Sequence, residues 1–471
     1  MSNPSSTRHC HWCSGGQSAF GSFLQSISLA VRLRIYKIFC FLLSHPLPTI
    51  LLFAFIRRVR PIARILNYVL VAKARDVREV LARLADFTLA DDLGPRIPWG
   101  PFMVVIDWPE QHARERELLQ SVVSVPADVE QVRDKAATIC REEILRVRKS
   151  GCIDVVKNLC EPVVIDIIES YFGIPSKVSS SSKVIRPHEM ARILGRVAGF
   201  MIFEPPMGSA PWIESLDSIA TLTELIVDRI KGPAPPKTEA LPDILTRLVA
   251  LRSEGGGPAW LNEDWIRRYI TGLAVFGGGT IIRSTTQAID QLIRYPAELQ
   301  EARALAVELN RDTAEYEHLR ASGGSYQVVQ QRIETARTSL LHLIYEALRF
   351  RPMLPMLGRY APRETIIAKD TPHARLVPAG VTVLAPPVAA MFDPEEFPNP
   401  WRFSRTRCLK KYVHFGHGPR LCFGKYLADT LIVEIFRALL LCDGLKRAAG
   451  SRGRIAYDGP AATSLVLTFR P

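Results

Sequence analysis

Phe415–Gly424 reads FGHGPRLCFG and runs straight into the apolar stretch KYLADTLIVEIFRALLL (425–441), so a glycine-bearing loop delivers one cysteine to the start of a helix. Unpaired backbone N–H groups at a helix start, with Arg420 two residues upstream, favour the thiolate form of Cys422. Gly418 and Gly424 carry no Cβ, which lets the backbone approach a bulky planar partner closely. A thiolate held by N–H donors suits a metal that takes one strong axial ligand. Cys140, Cys160 and Cys442 have no such context and read as small buried hydrophobes.

The loop matches F-x-x-G-x-R-x-C-x-G at every fixed position. In this it resembles the haem-binding loop of the cytochrome P-450 superfamily. The resemblance implies a mostly α fold with a small β-rich subdomain, organised as one large catalytic domain. It implies haem b as cofactor, with Cys422 as axial ligand to the iron and Phe415, Gly418, Arg420 and Gly424 lining the group.

Working back along the chain, Glu346 and Arg349 form E-x-x-R within LLHLIYEALRF, 76 residues before Cys422. Residues i and i+3 are neighbours on a helix, and the apolar flanks predict burial. The pair resembles the family's structural salt bridge, and Arg402 in PWRF resembles its third member. A buried cluster of this kind needs complete pairing, so the three are expected to be structural. His112 and Arg116, four residues apart after DWPEQ, resemble the helix that donates to haem propionates, with Arg114 the weaker member. Arg359 resembles another propionate partner, and planar guanidinium forks suit carboxylates.

A nearly uncharged helix is predicted from about Trp265 to Tyr295, stopped by Pro296. Within it FGGGT (276–280) resembles the family's oxygen-binding kink, and Pro296, 16 residues beyond, selects Thr280 as the catalytic hydroxyl. Three consecutive glycines weaken a helix and predict a local bulge, close helix packing being the alternative. Gly279 stands where the family commonly has an acid. Reductive oxygen activation needs protons, which the acid–alcohol pair relays. The departure leaves open a peroxide-using or isomerising enzyme beside the monooxygenase. A non-catalytic haem sensor or carrier is a third, remote reading that needs neither the threonine nor the kink.

The chain has 471 residues, with 47% hydrophobic and 23% charged, which excludes a disordered or collagen-like protein. Its formal charge of +13 first admits nucleic acid. However, residues 1–83 hold twelve Lys/Arg against only Asp76 and Glu79, so the charge gathers around one apolar run. That run, Ile38–Ile56, would span roughly 28 Å as one helix, near a bilayer core. Pro46 and Pro48 would kink it, making re-entrant or monotopic insertion a competitor to a transmembrane helix. The bases lack the aromatic interleaving of a nucleic-acid face, so no nucleic acid is expected. An odd set of nine scattered cysteines suits a reducing compartment. The Cys10/Cys13 tract, without a second ligand pair, reads as a floppy tail.

Together these imply residues 1–64 as tail and anchor, and 65–471 as the haem-thiolate domain. The expected activity inserts one oxygen atom from O2 into a small lipophilic substrate, in secondary or lipid metabolism. Electrons would come from an NADPH-dependent cytochrome P-450 reductase. The expected place is a membrane, with the catalytic domain cytosolic and at the endoplasmic reticulum if eukaryotic.

Overall fold

The computed structural model describes residues 28–89, 97, 99–177, 184–203, 205–232 and 241–471. The Cys10/Cys13 tract, the serine run 179–182 and most of KGPAPPK (231–237) lie outside them. Two helices, α1 (Leu29–Ser44) and α2 (Leu47–Val59), occupy the apolar run and are bent by 79° to one another. The break falls at His45 and Pro46. A residue before proline is pushed out of the helical region, and His45 has φ −127° and ψ 76°. A single helix across Ile38–Ile56 is therefore not formed. Among the described residues no single helix is long and apolar enough to cross a membrane.

Strand β1 (Ile62–Ile65) follows and pairs with β2 (Tyr68–Val71), so the first strand straddles the expected boundary at residue 64. Both belong to a four-stranded sheet ordered β1-β2-β7-β4, with β4 at Gly358–Ala361 and β7 at Val381–Leu384. The β2–β7 pair is parallel, and the other two pairs are antiparallel. A second sheet joins β3 (Cys152–Asp154), β8 (Lys446–Arg447) and β11 (Val466–Thr468). Hairpins β5–β6 (Thr365–Ile367 with Arg375–Val377) and β9–β10 (Ala456–Asp458 with Ala461–Ser464) complete the β structure.

The rest is helical. Helix α3 is Ala74–Ala82, α4 Pro109–Val122 and α5 Val125–Val147. A π-helical turn, Val155–Cys160, leads into α6 (Glu161–Ser170), with α7 (Pro187–Phe203), α8 (Ala210–Lys231) and α9 (Ile244–Ser253) beyond. Then come α10 (Glu263–Leu292), α11 (Pro296–Ser322), α12 (Gln327–Phe350), the short α13 (Pro387–Met391) and α14 (Lys425–Leu440). This is the expected mostly α body with minor β structure.

Helix α10 runs through the centre of the molecule. Asn262 caps it by accepting from the Trp265 N–H at 2.9 Å, and most of its residues are buried. The helix stays α-helical through FGGGT, so the expected bulge is absent. Of the three glycines in this motif Gly278 alone is tightly packed, a Cβ on Gly277 or Gly279 meeting only ordinary contacts at 3.9 and 3.6 Å. A Cβ on Gly272 would meet the Phe102 ring at 2.5 Å, and one on Gly278 would meet Leu194 Cδ1 at 2.8 Å. Within FGGGT the close-packing alternative therefore holds at Gly278.

Candidate active site

The 415–424 loop is folded back on itself by the Cys422 N–H, which donates to the Phe415 carbonyl at 2.9 Å. Gly418 sits at φ +72°, a left-handed conformation, and a Cβ there would stand 2.9 Å from the Cα of Ala82. The loop is thus seated on the end of α3. Gly418 answers to the protein's own backbone as well, a close approach the sequence did not reveal. A Cβ on Gly424 would touch nothing in the protein. Phe415 is half-buried, its ring 5.9 Å from that of Tyr345.

Cys422 is surrounded by protein yet keeps exposed surface. Burial pushes its thiol up from the ordinary value. The Gly424 N–H and the charges of Arg116 and Lys425 work in the opposite direction, while Asp429 adds to the rise. The expectation that Arg420 would favour the thiolate is not met, because Arg420 is committed elsewhere. It ion-pairs with Asp107 and donates to the Ile106 carbonyl at 3.0 Å. Lys425 instead reaches Asp429 at 2.5 Å, and Tyr345 donates to the same carboxylate at 2.8 Å.

Helix α4 opens with Pro109, whose fixed φ and missing N–H suit a first turn. It presents His112 and Arg116 on one face. Arg116 donates to the Leu421 carbonyl at 3.0 Å and its guanidinium lies 5.6 Å from the Phe423 ring. His112 is buried and held down to about 4 by burial and the charges of Arg420 and Arg116, so it is neutral at pH 7. Arg359, on β4, is buried and lowered to about 9 by burial and Arg420, so it keeps its proton. Arg114 points elsewhere, over the Trp260 ring at 4.9 Å.

Side chains from three separate parts of the chain, His112 and Arg116, Arg359, and Arg420, therefore share one electrostatic neighbourhood. Of the carboxylates beside them, Asp107 takes Arg420, while Glu115 accepts from Trp265 Nε1 at 3.1 Å and from the Tyr269 hydroxyl. Nε and Nη1 of Arg420 are buried without a hydrogen-bond partner. A surplus of buried cations with unused donors is the complement of a ligand carrying carboxylates. Beside a thiol at a helix start, this donor set fits haem, whose propionates would take the arginines and whose iron would take Cys422. Sequence reading missed Asp107, which carries no motif of its own.

The structural cluster forms around Glu346, but not as expected. Arg349 pairs with it at 2.7 and 3.0 Å, the Ser404 N–H donates at 3.0 Å and Tyr412 at 2.6 Å. The third cation is Arg407, whose Nε lies 3.3 Å from Glu346. Arg402 contributes only its carbonyl, which accepts from Arg349 at 3.2 Å. Its side chain is on the surface.

Thr280 is half-buried on α10. Its hydroxyl donates to the Phe276 carbonyl, with the Gly277 carbonyl at 3.4 Å. Gly279 faces α7: a Cβ would stand 3.6 Å from the Cα of Gly195. No Asp or Glu lies on α10 between Asp264 and Asp290.

Residues 324–441 match the sequence model of the family described as Cytochrome P-450. Among solved structures, the ligand-free cytochrome P-450 TbtJ1 superposes with a TM-score of 0.68 at 17% identity, over 90% of this chain and 98% of its own. A cytochrome P-450 complexed with an acyl carrier protein bearing hexadec-9Z-enoic acid gives 0.67 at 19% identity, over 91% and 99%. The fold is that of the cytochrome P-450s, as the resemblance read from FGHGPRLCFG implied. That superfamily comprises oxidoreductases with a thiolate-ligated haem iron.

Curated relatives are more varied. A bifunctional dioxygenase–epoxy alcohol synthase of Fusarium oxysporum is 24% identical over 68% of this chain and 24% of its own. Psi-producing oxygenase A of Emericella nidulans is 22% identical over 65% and 28%. Cytochrome P-450 monooxygenase drtD of Aspergillus calidoustus is 37% identical over 21% and 19%. The chain spans about a quarter of the length of the first two.

Proposed function

We propose that this chain is a haem-thiolate oxygenase that puts one oxygen atom into a small lipophilic substrate. The single observation that carries the reading is the set of Arg116, Arg359 and Arg420, with neutral His112, beside Cys422, Arg420 keeping two buried donors without a partner. Haem b bound there supplies oxygen-atom transfer into C–H or C=C bonds. The chain's own residues do the rest. Gly424 directs its N–H at the Cys422 sulfur, and Arg116 and Lys425 add positive charge that favours the thiolate. Arg116, Arg359 and Arg420 hold carboxylates by charge-assisted hydrogen bonds, with neutral His112 as a further donor. Thr280 holds its proton on the Phe276 carbonyl of its own helix.

The oxygen source has two readings. In the first, O2 is used with electrons from an NADPH-dependent cytochrome P-450 reductase. In the second, oxygen comes from a peroxide, or an oxygenated substrate is rearranged. The second is favoured by the lack of any Asp or Glu on α10 between Asp264 and Asp290, with Gly279 at the position of the family's acid. The long matches to a dioxygenase–epoxy alcohol synthase and to Psi-producing oxygenase A point the same way. Turnover of a fatty-acid hydroperoxide without reductase supports the second reading; turnover only with reductase and NADPH supports the first. A substrate-induced shift of the haem spectrum with no product under either condition would return the protein to a haem carrier or sensor.

We further propose that the catalytic body works at a membrane surface, on the cytosolic side, through its N-terminal segment. The apolar run and its bracketing bases support this reading.

A further inference from the structure

The α1–α2 pair carries more information than its composition. Each helix buries one edge on the body: Cys40 and Leu43 from α1, and Ile50, Phe53 and Ile56 from α2. The opposite edges are apolar and exposed at helical spacing. Ile38 and Phe41 on α1 are 60% and 58% exposed, and Leu51, Phe55 and Val59 on α2 are 53%, 65% and 67% exposed. Leu66, at the turn of the adjoining β1–β2 hairpin, is 82% exposed. So extended an apolar surface marks an interaction site rather than ordinary surface.

The pair is also fixed to the body. The last carbonyls of α1 are taken by two arginines: Arg283 Nη2 donates to Leu43 at 3.0 Å and Arg351 Nη2 to Ser44 at 3.2 Å. These cations meet the negative end of the α1 dipole. Arg283 itself is fully buried, and it also holds the Pro460 carbonyl at 2.8 Å. At the far end Arg57 donates to the carbonyls of Ala72 at 2.9 Å and Ala389 at 2.5 Å. Swinging α1 and α2 into one straight span would strip Arg283 and Arg351 of those partners. Singly, helices of 16 and 13 residues reach only about 24 and 20 Å, short of a hydrocarbon core of roughly 30 Å.

Charge identifies the occupant. Between Leu29 and Leu66 there is no Asp or Glu, while Arg34, Lys37, Arg58, Arg60 and Arg64 are exposed around the apolar surface. Interfacial helices bind with apolar side chains below the headgroups and bases among them, each base strengthening the hold on an anionic surface. We infer that the outer faces of α1 and α2, with the Leu66 turn, form an in-plane docking surface for an anionic lipid bilayer. They lie in one leaflet instead of crossing it. This rests on the membrane association proposed above and specifies its geometry.

The test uses the full chain, loaded with haem and carrying an N-terminal epitope tag, with sealed vesicles of phosphatidylcholine alone or mixed with phosphatidylserine. The wild type should float with the mixed vesicles and at least tenfold less with the neutral ones. The double variant Ile38→Asp/Phe55→Asp should lose binding tenfold or more while keeping the wild-type haem spectrum. Protease added outside should remove the tag from bound protein and also reach the catalytic body. A protected tag would overturn in-plane docking while leaving membrane association standing. Failure to float at all would overturn both. A wild type that forms dimers, and that the double variant renders monomeric, would assign the surface to a second copy of the chain instead.

Discussion

A Cβ on Gly279 of α10 would stand 3.6 Å from the Cα of Gly195 on α7, where the two helices meet. Ala461 of β10 closes the same junction, its Cβ 3.5 Å from where a Cβ on Gly195 would stand. The position that carries an acid in the family pattern is therefore directed at another helix. This makes the missing carboxylate a feature of packing, and a longer side chain there would force α7 away.

The glycines of α10 should consequently respond in opposite directions to alanine. At Gly279 the contact is ordinary, so Gly279→Ala should gain up to about 1 kcal/mol from helix propensity. At Gly272 the added Cβ meets a rigid ring at 2.5 Å, so Gly272→Ala should lose about 1–3 kcal/mol through overpacking. Gly279→Glu should destabilise rather than create a proton relay. Thermal unfolding of the three variants checks the ranking, and equal effects at 272 and 279 would contradict it.

Arg407, not Arg402, should be the arginine that matters beside Glu346. Arg407→Ala removes a cation whose side chain is 9% exposed from a carboxylate that is 0% exposed, and should cost about 3 kcal/mol or more. Arg402→Ala keeps the carbonyl that Arg349 uses and should stay within about 0.5 kcal/mol of wild type. Chemical denaturation midpoints of the pair provide the comparison.

This substitution of one arginine for another shows what the sequence could reveal. Cys422, the E-x-x-R pair and α10 were legible because each is local: a loop before a helix, two residues on one face, an apolar run ended by proline. Glu346 was legible, but its third partner was not. Arg402 and Arg407 stand five residues apart in irregular chain, and only the fold decides which one turns inward. The same holds for Asp107, which meets Arg420 across more than 300 residues of chain. It also holds for Gly418, whose neighbour Ala82 comes from α3. The apolar run was legible in composition, but its break at His45–Pro46 makes two helices where length alone allowed one.

Arg359 should show opposite effects with and without haem. In the protein alone its charge is buried beside Arg420, so Arg359→Gln should raise the melting temperature of the haem-free form. With haem it should weaken binding, by about 10- to 100-fold for a lost charge-assisted hydrogen bond worth about 1.5–3 kcal/mol. Haem titration alongside thermal unfolding reads both. A variant that destabilises the haem-free protein and leaves haem affinity unchanged would remove Arg359 from the site.

Glu161 predicts a pH dependence away from the site. Burial, with the nearby Asp154 charge, raises its carboxyl from 4.5 to about 7. The folded state thus holds this proton more tightly than the unfolded chain does. Stability is present in full below about pH 4.5 and declines as pH rises through 7. Glu161→Gln should match wild type near pH 4.5, then melt progressively higher than wild type up to about pH 7, with a constant difference above. A difference independent of pH would place the titration elsewhere.

The central claim is that Cys422 presents a thiolate to haem iron. The reduced carbon-monoxide difference spectrum tests it most directly, on the wild type and on Cys422→Ser. The wild type should bind haem and give the strongly red-shifted Soret band of a thiolate ligand, and the serine variant should lose that band. A wild-type protein that takes up no haem, or a band that survives the substitution, would contradict the account.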